Sequence, residues 1–113
     1  MKARLPEEYR GGKGNMQNML KQAQKMQEDV ARVQAEIEER EFSSSSGGGA
    51  VEAVLNGKKA VLSLNIKPEV IDPDDAEMLG DLIAAAINDT MRKIDEVTEE
   101  EMGKVTNGMQ MPF

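Results

Sequence analysis

The 113-residue chain contains neither cysteine nor histidine. Without cysteine there is no disulfide framework and no thiolate metal site. Without histidine there is no imidazole, the commonest metal ligand and the only side chain that titrates near neutrality when unperturbed. Zinc sites, haem ligation and histidine-based triads are thereby excluded. An enzyme would have to work with carboxylates, lysines, hydroxyls or a carboxylate-bound hard metal, and no such constellation stands out. Aromatic residues are scarce as well, only Tyr9, Phe42 and Phe113. With a core this modest, part of the stability is expected to come from association. No run approaches the roughly 18 apolar residues needed to span a bilayer, and the N-terminus lacks the apolar core of a signal peptide. The expectation is a soluble cytoplasmic protein with no membrane contact, cofactor, metal or small-molecule substrate.

Positive charge is also in short supply, and unevenly placed. The formal net charge is −7, yet residues 1–27 hold six basic side chains (Lys2, Arg4, Arg10, Lys13, Lys21, Lys25) against Glu7 and Glu8. The remaining 86 residues carry −11. A total of this sign argues against a uniformly basic nucleic-acid binder, whereas the asymmetry makes the chain electrically two-ended.

Residues 1–14, with Pro6 and Gly11-Gly12-Lys13-Gly14, have no apolar period and read as a flexible basic arm. From Asn15, a candidate N-cap, apolar residues fall at Met16, Met19, Ala23, Met26, Val30, Val33 and Ile37, with Leu20 widening the stripe. Alternating steps of three and four are a coiled-coil-like seam. A helix from there to near Glu41 would be roughly 40 Å long, against a radius of gyration of about 13 Å for a compact domain of this size. One end should therefore project, and its apolar stripe needs cover from its own chain or from a second copy.

Composition alone makes Ser43-Ser44-Ser45-Ser46-Gly47-Gly48-Gly49 a flexible linker. Ala50–Leu55 and Ala60–Ile66 read as strands, with Leu62, Leu64 and Ile66 alternating with Val61, Ser63 and Asn65. Asn56-Gly57 between them predicts a two-residue type I′ hairpin turn. An isolated hairpin is marginal in water, so it must pack on a helix or pair further, and the Ser/Gly tract is the nearest candidate strand. Asp72-Pro73-Asp74-Asp75 reads as a helix start, with Asp72 as cap, Pro73 at the first position and acids at the positive end of the dipole. As a calcium loop it fails, because Pro73 and Ala76 break the DxDxDG pattern. The second helix should run to about Met102 on Ala76, Leu79, Leu82, Ile83, Ala86, Ile87 and Ile94. Gly103, Gly108 and Pro112 then mark a flexible tail over residues 103–113, which leaves residues 15–102 as one domain.

Several local strings taken together resemble one family. Gly14-Asn15-Met16, Lys21-Gln22-Ala23-Gln24-Lys25-Met26-Gln27, Gly47-Gly48-Gly49-Ala50-Val51, Asn56-Gly57-Lys58 and Asp72-Pro73-Asp74-Asp75 are similar, in order and spacing, to the YbaB/EbfC proteins. That resemblance spans residues 14 to about 94. It implies an α+β fold with an α-β-β-β-α protomer: a long N-terminal helix, a three-stranded antiparallel sheet whose first strand is the Ser/Gly tract, and a long C-terminal helix. It further implies a tweezer-like homodimer in the bacterial nucleoid that binds double-stranded DNA, is not an enzyme and needs no cofactor.

Duplex DNA carries one negative charge per about 1.7 Å of axis, so clustered lysine and arginine give salt-sensitive affinity without reading bases. Lys21 and Lys25, i and i+4 on one face away from the seam, are the leading candidates, with Arg10 and Lys13 preceding them. Arg92 and Lys93 on the second helix form a lesser patch, and Lys58-Lys59 a weaker one. No GxxxxGK[ST] phosphate loop is present. Two other readings compete. The acidic bulk and nine methionines suit a dimeric adaptor or chaperone-like module that holds partner proteins through Met-rich tips. A magnesium enzyme built on Asp72, Asp74, Asp75 and Glu77 lacks any loop to position a phosphate.

Overall fold

The computed structural model describes the backbone from Glu7 to Met109 and side chains from Gly14 to Thr106. Expectations for residues 1–6 and 110–113 lie outside the described residues. Helix α1 (Glu7–Glu39) is followed by β1 (Glu41–Ser46), β2 (Val51–Asn56), β3 (Val61–Ile66) and helix α2 (Ala76–Met109), with short 3-10 turns at Gly47–Gly49, Pro68–Val70 and Pro73–Asp75. The strands form one antiparallel sheet in the order β1-β2-β3. This is the α+β, α-β-β-β-α arrangement that the resemblance implied.

Both helices are longer than their apolar patterns indicated. α1 begins at Glu7, not Asn15, so residues 7–14 of the expected arm are helical, with two acids at the end where the helix dipole favours negative charge. α2 runs through Gly103 to Met109. A glycine inside a helix costs only about 0.5–1 kcal/mol, and half-buried Met102, Val105 and Thr106 flank this one.

The serine tract becomes a strand because a partner accepts its backbone. β1 pairs with β2 from Glu41↔Asn56 to Ser46↔Val51, Phe42 is buried, and the Ser46 hydroxyl donates to the Leu82 carbonyl at 2.6 Å. The glycines do not continue the strand but turn it. Gly47 sits at φ +61, where a Cβ would come within 3.1 Å of Leu82.

The hairpin between β2 and β3 differs from the two-residue turn in an instructive way. Its loop is Gly57-Lys58-Lys59, closed by Lys59 N–H donating to the Asn56 carbonyl at 2.9 Å and Asn56 N–H to the Ala60 carbonyl at 3.0 Å. The left-handed residue is Lys59 (φ +69), not Asn56 or Gly57. Asn56 Oδ1 accepts from the amides of Lys58 and Ala60, so the asparagine serves as a side-chain brace. Gly57 is needed for clearance, since a Cβ there would stand 2.0 Å from the Ile37 carbonyl oxygen at the end of α1.

On β2, Val51, Ala53 and Leu55 point inward and are fully buried. α2 lies over β1 and β2. Its inward positions Ala86 and Ile94 are buried, and Leu79, Leu82, Ile83, Ile87, Met91 and Val97 pack around them. Thr90 occupies an inward position too, fully buried, with its hydroxyl donating to the Ala86 carbonyl at 2.7 Å. The register of β3 slips beside Leu55, so that Val61 and Leu62 both stand opposite it. Such a bulge breaks the simple alternation read from the sequence and puts Val61 in line with Leu64 and Ile66, the partners of Ala53 and Val51.

α1 meets the rest only through its C-terminal half. Ile37 is buried and Val33 packs against the same core, while Val30 and Met26 are half-buried. Residues 14–25 are all exposed. The molecule is accordingly a rod of 92 × 20 × 17 Å with a radius of gyration of 24.3 Å, far above the value of about 13 Å for a compact chain of this length.

Candidate nucleic-acid interface

The projecting part of α1 is amphipathic without being covered. Met16, Met19 and Leu20 are each more than 60% exposed, and the stripe they form passes under α2 only from Met26 onward. At 100° per residue, Lys21 and Lys25 fall on the opposite side of the helix, within about 40° of each other. Both are exposed, and among the described residues neither has an ion-pair partner. Arg10 and Lys13 lie in the first turns of the same helix, with their side chains outside the described residues.

One cation on this face escaped the sequence reading. Arg32 is seven residues beyond Lys25 and falls within the same 40° sector. It is held by Asp29 at 2.9 Å and Glu36 at 3.8 Å. The spacing from Lys25 would have revealed it, had the acidic neighbours not masked it.

The remaining proposed cations lie on the body and, apart from Lys58, already have partners among the described residues. Arg92 pairs with Asp89 at 2.9 Å, and Lys93 donates to the Ser43 carbonyl of β1 at 2.6 Å. Lys59 pairs with Asp95 at 2.7 Å. Arg40 reaches Glu101 at 3.9 Å and approaches the Phe42 ring. Glu101 also takes Lys104 at 3.0 Å; its hydrogen bond and charge, helped by Glu100, hold the Lys104 ammonium above the usual lysine range. From Glu36 to the end, seventeen acids face seven bases, so the body repels a polyanion while the projecting helix does not.

Other surfaces have less to offer chemically. The outer face of the sheet holds an open depression of about 420 Å³ lined by Ser45, Gly49, Glu52, Asn65, Ile66, Lys67 and Pro68, where Asn65 donates to Glu52 at 3.1 Å. Among the described residues, no three acids gather as metal ligands, and no helix is long and apolar enough to cross a membrane. Asp72 acts as the cap the sequence predicted, accepting from the Asp74 amide at 2.9 Å.

A two-helix, three-strand protomer with a bare cationic helix at one end belongs to the class of small α+β proteins that present a surface rather than an enclosed pocket. Comparison with known proteins makes this specific. The chain belongs to the YbaB/EbfC DNA-binding family, whose profile matches residues 12–109. A nucleoid-associated protein of Alkaliphilus metalliredigens (strain QYMF) is 56% identical over 102 residues, 90% of each chain. One of Clostridium perfringens (strain SM101 / Type A) is 55% identical over 104 residues, 92% of this chain and 93% of the relative. Among solved structures, an uncharacterized protein of Helicobacter pylori superposes with a TM-score of 0.65 at 20% identity, covering 75% of this chain and 89% of that one. That likeness supports the fold.

Proposed function

We propose that the protein is a nucleoid-associated homodimer that binds double-stranded DNA with low sequence specificity and acts by binding alone, without catalysis. The observation that carries this reading is the contrast between cations. Among the described residues Lys21 and Lys25, on an exposed helix, have no ion-pair partner, whereas most cations of the body are engaged, Arg92, Lys59 and Lys104 by acids and Lys93 by a carbonyl, with Lys58 and Lys67 the exceptions. Arg92 and Lys93 join the contact only by exchanging those partners for phosphates. The main contact is therefore on α1, with Arg10 and Lys13 extending it. Phosphate contacts from lysines fix position without encoding sequence.

The homodimer is proposed to form across β3. Val61, Leu62 and Leu64 on this edge strand are 37–49% exposed, and Ile71, after the turn that follows the strand, is 54% exposed. An exposed apolar edge strand is a ready template for a second chain. Pairing two copies there leaves both copies of α1 free to reach one duplex.

Fluorescence anisotropy of labelled duplexes of unrelated sequence, titrated at several salt concentrations, tests the reading. Affinity should fall steeply with salt, by about 0.9 in logarithmic slope per phosphate neutralised, and differ little between sequences. A wild-type protein that binds no duplex even at low salt would sink it.

A further inference from the structure

The uncovered apolar end of α1 calls for a partner, and its surroundings identify which. Around Met16, Met19, Leu20 and Ala23 the flanking positions are Asn15, Gln17, Gln22, Gln24 and Gln27, every one an uncharged amide. Along the covered half of the same helix the positions beside the stripe include the acids Glu28, Asp29 and Glu38 instead. Lys21 and Lys25, the only charges between residues 14 and 27, face away from the stripe. Between Asn15 and Gln27 a charged partner would find nothing to pair with along this rim, but a second copy of the same surface would meet amides that both donate and accept.

We infer that the α1 tips of different dimers pack against each other as an antiparallel, two-fold contact centred between Met19 and Leu20. That register sets Met19 against Leu20 of the second copy at the centre and Met16 against its small Ala23 on either side, so the stripes interdigitate. It brings Lys21 level with Asn18 and Lys25 level with Gly14, so no two lysines are apposed. Because the same patch serves both copies, the contact closes on itself. Gly14–Lys25 is exposed throughout and about 18 Å long, enough for the whole overlap.

The contact is small. Three side chains, each about two-thirds exposed, offer a few hundred Å² per copy, short of the roughly 800 Å² per partner of a stable interface. It is therefore weak between free dimers and becomes populated when DNA raises the local concentration. With the lysines on the opposite face, one helix end can hold a phosphate backbone and a second dimer together, which links two duplexes. The bridging consequence rests on the DNA-binding reading; the tip contact itself does not.

Two experiments separate these parts. In the cysteine-free chain without DNA, mild oxidation of concentrated L20C should form an intermolecular disulfide at least tenfold faster than K25C. M16C alone should stay near the K25C rate, and M16C/A23C should match L20C. On native sedimentation the cross-linked species should be larger than a dimer. Equal rates for L20C and K25C, rapid cross-linking of M16C alone, or a cross-linked species no larger than a dimer would each overturn the inference. With DNA, bead-bound duplex should capture a second labelled duplex through wild type, and M16Q/M19Q/L20Q should lose at least tenfold of that capture while single-duplex affinity stays within twofold. Undiminished capture by the triple variant overturns the bridging role. If wild type binds no single duplex, the DNA reading fails, and the cross-linking result still decides the contact.

Discussion

Replacing Gly57 by alanine adds one methyl group where the hairpin loop meets the end of α1. That Cβ would stand 2.0 Å from the Ile37 carbonyl oxygen, 2.5 Å from its carbon and 2.8 Å from Glu38 Cα, against 3.4–4 Å for ordinary contact. All three atoms are backbone, so no rotamer change relieves the clash, and the loop and helix must separate by more than an ångström. Overpacking of this kind costs about 1–3 kcal/mol. For a domain near this size about 1 kcal/mol shifts the midpoint by roughly 4–8 °C, so G57A should melt some 5–20 °C below wild type. Gly80 and Gly103 are the controls, because a Cβ at either meets no atom within 4 Å and both lie inside α2. Alanine there should raise stability by up to about 1 kcal/mol. Far-UV circular dichroism melts at one fixed protomer concentration, which matters for the proposed dimer, compare the three variants. A G57A midpoint at or above that of wild type would refute the clearance argument.

Other outcomes follow from the charge and edge geometry. K21Q/K25Q removes four charges per dimer and should flatten the salt dependence of duplex binding by up to about 3.6 in logarithmic slope, while R92Q, whose guanidinium is already held by Asp89, should change it by less than about one unit; an unchanged slope for the lysine pair would remove α1 from the contact. L64E places a carboxylate on the exposed strip of β3 and should shift sedimentation from dimer to monomer, and a persistent dimer would exclude that edge. The chain has no histidine, the side chain whose unperturbed pKa falls between about 5 and 8. Duplex affinity at constant ionic strength should therefore vary less than twofold from pH 6 to 8, and a steep change would point to a shifted group within the interface.

Much of the architecture was legible because local signals agreed with the fold. The Met/Val seam, the Val- and Leu-rich strands and the Asp72-Pro73 helix start each have a local cause and each formed. The serine tract shows the limit of composition. Ser43–Ser46 has no strand propensity of its own, and only β2 alongside and α2 above make it a strand, which pattern resemblance registered and physics from one segment did not. Asn56-Gly57 marked a hairpin correctly and its turn type incorrectly, because the demand on Gly57 comes from Ile37, twenty residues away in sequence. The apolar positions expected of α2 ended at Ile94, yet Val97, Met102 and Val105 are half-buried where α1 comes alongside. At the site, Lys21 and Lys25 were legible as two cations sharing one face away from the seam, while the partners of Arg92 and Lys93 were not. Asp89 lies three residues from Arg92, but Ser43 is fifty from Lys93.

The bond from Lys93 to the Ser43 carbonyl has a consequence for stoichiometry. A three-stranded sheet has two edges, and a protein that left both open could add copies at each and grow into a fibre. Here the β1 edge is guarded by an ammonium group fixed over one of its acceptors, a charge that an incoming strand would have to strip and bury. In the proposed dimer only the β3 edge is left to accept a copy, so growth through the sheet would stop at two. One lysine on α2 would thus set a ceiling on assembly through the sheet, and any larger order would need contacts made elsewhere on the molecule.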